Sequence, residues 1–327
     1  MDAFIKELVQ DLEHVQISRY AQLSSSCIIL FDHLITLDDE INLIWPSSWS
    51  LGKVLFLLNR YYSLAAVLFN NYGFFSPNLT HEFCLRFFQW QGWTGLIGCM
   101  LAEGILQMRL YALFSLDKRI LFLMLSMFVA STGTAAWIMW NVVTKISALA
   151  LPLPNNDIFC APNGIPKDFY MFWVPLLVYE CLLCTLALVR GFQTLRRSGS
   201  LFLNGRQLVV ILVRDSIMYF LVICVTYMAS LLIWIMAPST LLEVPIGFTI
   251  AMSCVLANRV VLNVRDAGQD VSVTDSKRPI THASRYDTSF CSPGTITQFE
   301  MDQLRSMKAD KQLEDIYEDY EYSTHKA

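Results

Sequence analysis

The sequence predicts an all-α integral membrane protein: a bundle of seven transmembrane helices followed by a disordered, acidic cytoplasmic tail. Three observations carry this expectation. Hydrophobic residues make up 54% of the chain and charged residues only 16%, against the roughly 25% charge of a soluble globular protein. Seven stretches come near the roughly 20 apolar residues that a helix needs to cross a bilayer. Charge is also unevenly placed: residues 1–264 carry 16 basic and 16 acidic side chains, whereas residues 265–327 carry 8 and 12. The formal net charge of −4 therefore sits entirely in the C-terminal segment. A neutral body lacks the basic face that a nucleic-acid partner needs.

Residues 1–19 (MDAFIKELVQDLEHVQISR) have neither the apolar core nor the small-residue site of a cleavable signal peptide. Phe4, Leu8, Leu12 and Val15 recur at helical spacing, which predicts a short amphipathic helix lying at the interface. The membrane domain, 20–264, then divides into spans at Tyr20–Leu37, Lys53–Tyr72, Arg86–Leu113, Ile120–Asn141, Phe169–Arg190, Ile211–Met236 and Val244–Leu262. The first is the weakest, being short and holding Asp32 and His33. Trp45, Trp49, Tyr72, Tyr111 and Trp140 fall near span ends, as an interfacial aromatic belt requires. With seven spans and the N-terminus outside, eleven Lys and Arg residues fall on the cytoplasmic side and five on the outer side. That bias follows the positive-inside rule.

The tail, 265–327, is rich in Ser and Thr, holds a Ser292–Pro293 pair, and ends in the acidic aromatic run Asp315–Tyr322. Without apolar periodicity it reads as disordered, apart from a short helix that could form around Met301–Tyr317. Its role is expected to be solvation, or else phosphorylation-dependent binding of a partner.

The stretch ILFDHLITLDDEINLIWPSSWSLGKVLFLLNRYY resembles the N-terminal signature of a large fungal family of multi-pass membrane proteins. That family is abundant in mushroom-forming basidiomycetes and known only as a domain of unknown function. The matching residues are Asp32, Leu37–Glu40, Ile44–Trp45, Trp49, Lys53 and Leu57–Tyr61. Arg109–Leu113 (RLYAL) and Asn258–Arg265 (NRVVLNVR) also fit, so the resemblance covers about the first 265 residues. It implies multi-pass topology and no particular chemistry.

Chemistry, if any, must come from side chains inside the membrane. The sequence has no GxGxxG, GxxxxGK, HExxH or GxSxG motif. Only His33 lies in a span, and the seventh span has no Lys to hold retinal. No cofactor or metal is therefore expected. Cys181 and Cys184 stand in an apolar C-L-L-C stretch and read as packing residues. Ionisable residues within spans are the default functional candidates because they are costly in lipid. They are Asp32, Arg60, Glu103 and Glu180. Asp32 and Arg60 fall at similar depth near the inner face, which predicts an ion pair between the first two spans, or a step in an ion path. Glu103 and Glu180 have no cation in view and are expected either neutral or facing a polar cavity, as ligand or relay groups. Gly92, Gly95, Gly98 and Ala102 share a face of the third span and predict close helix packing. Pro175 and Pro245 predict kinks.

Cys84 and Cys160 both fall on the predicted outer side, where a disulfide can persist. A bridge between them, with Arg109 at the inner end of the same helix, is similar to the rhodopsin-like receptor pattern. The departures are Met108 in place of an acid before Arg109, and Asn258–Arg259 in the seventh span without NPxxY. Asn78–Leu79–Thr80 is a glycosylation sequon in a short outer loop. The expected function is that of a non-enzymatic, receptor-like seven-helix protein binding an unknown small molecule. Arg109, Arg196, Arg197, the 190–214 loop and the tail would face a cytoplasmic protein partner. The alternative is a transporter or channel using the intramembrane carboxylates.

Overall fold

The computed structural model describes residues 2–76, 80–114, 117–152, 158–163, 166–197, 204–236 and 241–276. Seven long helices run through them: α1 (Asp2–Ile35), α2 (Leu51–Phe75), α3 (His81–Leu113), α4 (Lys118–Val143), α5 (Trp173–Arg197), α6 (Asn204–Met236) and α7 (Glu243–Ser276). A short antiparallel hairpin, β1 (Ser147–Pro152) with β2 (Ile158–Asn163), joins α4 to α5. Six stretches are long and apolar enough to cross a membrane, namely Leu51–Phe75, His81–Leu113, Lys118–Val143, Asp168–Gln193, Ile217–Met236 and Glu243–Asp266. They fit an integral membrane protein, as does the apolar outer surface, where Phe122, Trp137, Val225 and Ile235 stand exposed.

Local sequence explains most boundaries. Ser50, Thr80 and Asp117 cap α2, α3 and α4 by accepting hydrogen bonds from Lys53 N, Phe83 N and Arg119 N, satisfying backbone donors that would otherwise be orphaned. Pro175 and Pro245 each occupy the third residue of their helix. They begin α5 and α7 instead of interrupting them, because a first-turn residue has no intrahelical N–H bond to lose. Their carbonyls accept from Ser131 and Thr249 at 2.9 and 2.8 Å.

The helices form a closed ring. α1 packs on α2 and α7, and α5 packs on α4 and α6. α3 stands centrally, touching α2, α4, α5 and α7. The largest core cluster lies among α3, α4, α5 and α6, around Leu106, Leu110, Met124, Leu176 and Phe220. A second cluster (Phe74, Cys84, Phe87, Phe88, Cys160) seals the end beneath the hairpin. There a Cβ on Gly73 would clash with the Phe87 ring, so the close approach of α2 to α3 at this point relies on position 73 having no side chain.

Several expectations need correction. Residues 1–19 do not make a separate interfacial helix, since α1 runs unbroken from Asp2 into the first predicted span. α7 continues to Ser276, beyond the predicted start of the tail at 265. Residues 277–327, with Ser292–Pro293, the 301–317 segment and Asp315–Tyr322, lie outside the described residues, as does Asn78. Of the glycines on α3, only Gly92 makes a tight approach, 2.8 Å from Met139 Sδ to a Cβ built there, while Ala102 is buried in one cluster with Ala257 of α7. Buried Gly98 would meet nothing within 4 Å.

Candidate functional site

Among the described residues, two polar groups in the interior contain buried carboxylates. The first is an ionic network at the end where α1, α2 and α7 meet. After α1 the chain makes a short helical turn and one turn of π-helix over Glu40–Ile44, which turns Glu40 into the bundle. Arg60 pairs there with Glu40, Nε to Oε2 2.6 Å, both side chains almost fully buried. Arg60 also donates to Thr36 Oγ1 (2.8 Å) and the His33 carbonyl (2.9 Å). Tyr61 OH and Trp45 Nε1 both donate to Glu40 Oε1, at 2.8 and 3.2 Å. Asp32 takes a different partner, Arg259 of α7, at 2.6 Å. The expected Asp32–Arg60 pair is therefore replaced by two pairs that share one neighbourhood. Sequence reading missed Glu40 because it stood in a presumed loop, and it counted Arg259 among the basic residues of the cytoplasmic side. Lys53 Nζ closes the turn by donating to the Trp45 and Ser47 carbonyls at 3.0 and 2.8 Å. The network binds helices together, and each of its cations and anions already has a partner.

The second group lies deeper and is arranged in two layers. A partly open cavity of about 90 Å³ lies among α3, α4, α5, α6 and α7. Its wall is mostly apolar, including Phe88, Leu96, Met139, Phe172 and Ile250, with Gln91 and Glu243 as a polar edge. Gln91 Nε2 donates to Glu243 Oε2 at 2.8 Å. Cys99, Trp173 and Trp234 also line it. One or two turns further in, on the same helix faces, come Glu103 (i+4 from Cys99), Glu180 (i+7 from Trp173) and Tyr227 (i−7 from Trp234). At 1.5 Å rise per residue these lie about 6–10 Å below the cavity wall.

This lower layer is unusual for a membrane interior. Glu103 and Glu180 are 1% and 0% exposed, and neither carboxyl oxygen of either residue has a hydrogen-bond partner among the described residues. The two carboxyls stand within electrostatic reach of each other. Tyr227 faces the Cys99 thiol and Tyr179 faces Gln107. Even so, both phenol oxygens, Gln107 Nε2 and the Trp173 and Trp234 indole nitrogens lack a well-aligned partner. Each such buried group costs about 1–3 kcal/mol if left unsatisfied. On α3, α5 and α6, beside the cavity, these groups form a polar layer in an otherwise largely apolar surrounding. Chemically the paired acids can share or exchange a proton, or balance a cation.

The remaining sequence candidates divide. Cys84 and Cys160 are joined in a disulfide, with Cα atoms 5.3 Å apart, tying β2 to the start of α3. Arg109 is half-buried near the C-terminal end of α3, and Arg190 Nε donates to the Leu113 carbonyl at 2.9 Å, fastening α5 to α3. Arg196 and Arg197 close α5, but their side chains lie outside the described residues. Among the described residues, no three His, Cys, Asp or Glu side chains converge as a metal site.

Comparison with known proteins adds one likeness. Residues 20–65 match a family of unknown function (DUF6533). The matched segment contains Asp32, Glu40, Lys53 and Arg60, four charged members of the ionic network. No curated protein matches the chain.

Proposed function

We propose that this chain is a non-enzymatic seven-helix membrane protein, receptor-like in layout, that binds a small molecule in the cavity lined by α3 to α7. The carrying observation is the apolar cavity set directly above a layer of buried, unpartnered polar groups. A central α3 and a disulfide-anchored hairpin at its cavity end support the receptor-like layout. The seventh span is α1. Its low mean hydropathy reflects polarity turned inward: Ser18, Gln22, Ser25, Ser26 and Asp32 are buried, whereas Ile17, Leu23, Leu30, Phe31 and Leu34 are exposed. A helix with that distribution suits lipid outside and protein inside. The likeness at Arg109–Leu113 and Asn258–Arg265 supports extending the fungal resemblance across all seven helices.

Thermal unfolding in detergent against a small-molecule library tests the binding reading. At least one compound should raise the melting temperature of the wild type but not of Gly95→Leu, which fills the cavity from α3. A library that stabilises neither protein, or both equally, would sink it.

The hairpin end of the bundle is the outer face, consistent with its disulfide and with the basic bias of the opposite loops. The tail, Arg109, Arg196, Arg197 and the 190–214 loop then meet a cytoplasmic protein. Protease added to intact cells should spare an epitope fused after Ala327, and its loss without permeabilisation would reverse the topology. A transporter reading draws on the Glu103–Glu180 pair alone. Proton flux in proteoliposomes, abolished by Glu103→Gln, would favour it over the receptor.

A further inference from the structure

We infer that the cavity selects a small amphipathic cation, an organic ammonium with an apolar body. This deepens the binding reading and rests on it. The argument is one of charge. Three carboxyl-bearing side chains reach the half of the bundle around the cavity: Glu243 on its wall, and Glu103 and Glu180 one layer below. Of the basic side chains toward the other end, Arg60 and Arg259 already pair with Glu40 and Asp32. They therefore do not balance these acids.

Glu243 gives the direct contact. It lines the cavity, and Gln91 donates to its Oε2, so an ammonium can approach the same carboxyl while Gln91 holds it in place. Aromatic faces complete the match. Trp173 and Trp234 stand 6.3 Å apart at 63°, and Phe169 meets Trp234 edge-on at 4.9 Å. Such a cluster accepts an apolar body and attracts a cation through its ring faces. An anion would meet the Glu243 carboxyl with no Lys or Arg on the cavity wall to offset it, and a neutral molecule would leave that carboxyl without a counter-ion.

The test uses the full chain in nanodiscs with three probes of one shape: 2-phenylethylammonium, its uncharged N-acetyl derivative and 3-phenylpropionate. The ammonium should stabilise saturably, with the neutral analogue at least tenfold weaker and the anion inert. Glu243→Gln should weaken the ammonium at least tenfold and leave the neutral analogue unchanged, whereas Glu243→Asp should keep most of the preference. Equal binding of ammonium and neutral analogue would overturn the cation assignment while leaving the cavity reading intact. Binding of the ammonium that survives both Glu243→Gln and Gly95→Leu would place it elsewhere and overturn both. If all three probes are inert while library compounds stabilise the wild type through the cavity, the cation assignment fails alone.

Discussion

Replacing Arg60 by Gln should cost about 3–5 kcal/mol of stability, because it strands the buried Glu40 carboxylate in a site shaped around a guanidinium. The pair is almost wholly buried and meets at 2.6 Å. Arg60 also serves Thr36 and the His33 carbonyl, so its loss unties the end of α1 as well. Glu40→Gln should cost a similar amount, and the double variant clearly less than the sum of the two. Removing both charges leaves no stranded ion. The same cycle run with Asp32→Asn and Arg60→Gln should be far closer to additive, since Asp32 leans on Arg259. Thermal unfolding of the purified variants measures both cycles. Additive losses for Glu40 and Arg60 would mean that the pair contributes nothing as a pair.

Opening the Cys84–Cys160 bridge should be the other large effect. The bond closes 76 residues of chain, and a crosslink of that length contributes about 2–4 kcal/mol by restricting the unfolded ensemble. Cys84→Ser, Cys160→Ser and the double variant should all lose the same amount, because either single change breaks the only bond involved. Thermal unfolding, with and without reductant, should show wild type falling to the level of the variants. Mass spectrometry after alkylation of unreduced protein checks the premise. Two alkylated thiols at 84 and 160 would remove the bridge and the prediction together.

How far the sequence revealed this arrangement depends on what each residue signals locally. Six apolar helices were legible because lipid demands about 20 apolar residues in a row, and few side chains interrupt the runs now seen from Leu51 to Asp266. Glu103 and Glu180 stood out for the complementary reason, as acids inside such runs. The partners of Asp32 and Arg60 were not legible. Depth along a helix follows from counting residues, but azimuth and the path of the intervening turn do not. The π-helical turn at Glu40–Ile44 has no period that would separate it from a loop. The cavity wall was hidden as well, since Trp173, Trp234 and Glu243 come from three different helix ends and meet only after packing. The β1–β2 hairpin lacked a tight turn dipeptide and was read as plain connection.

The inward polarity of α1 also bears on how the protein is made. A ribosome delivers α1 to the membrane long before α7 exists. Yet α1 packs mainly on α7 and α2, and its Asp32 counter-ion, Arg259, arrives more than two hundred residues later. Until then the stripe from Ser18 to Asp32 has no protein surface to face, and hydrocarbon is a poor substitute for it. With α1 as the proposed seventh span, the nascent helix is expected to linger at the insertion machinery or the bilayer surface, entering fully only when the last helix closes the ring. A chain stopped before α7 would display that polar stripe to the membrane, which gives cellular quality control a ready mark of an unfinished molecule.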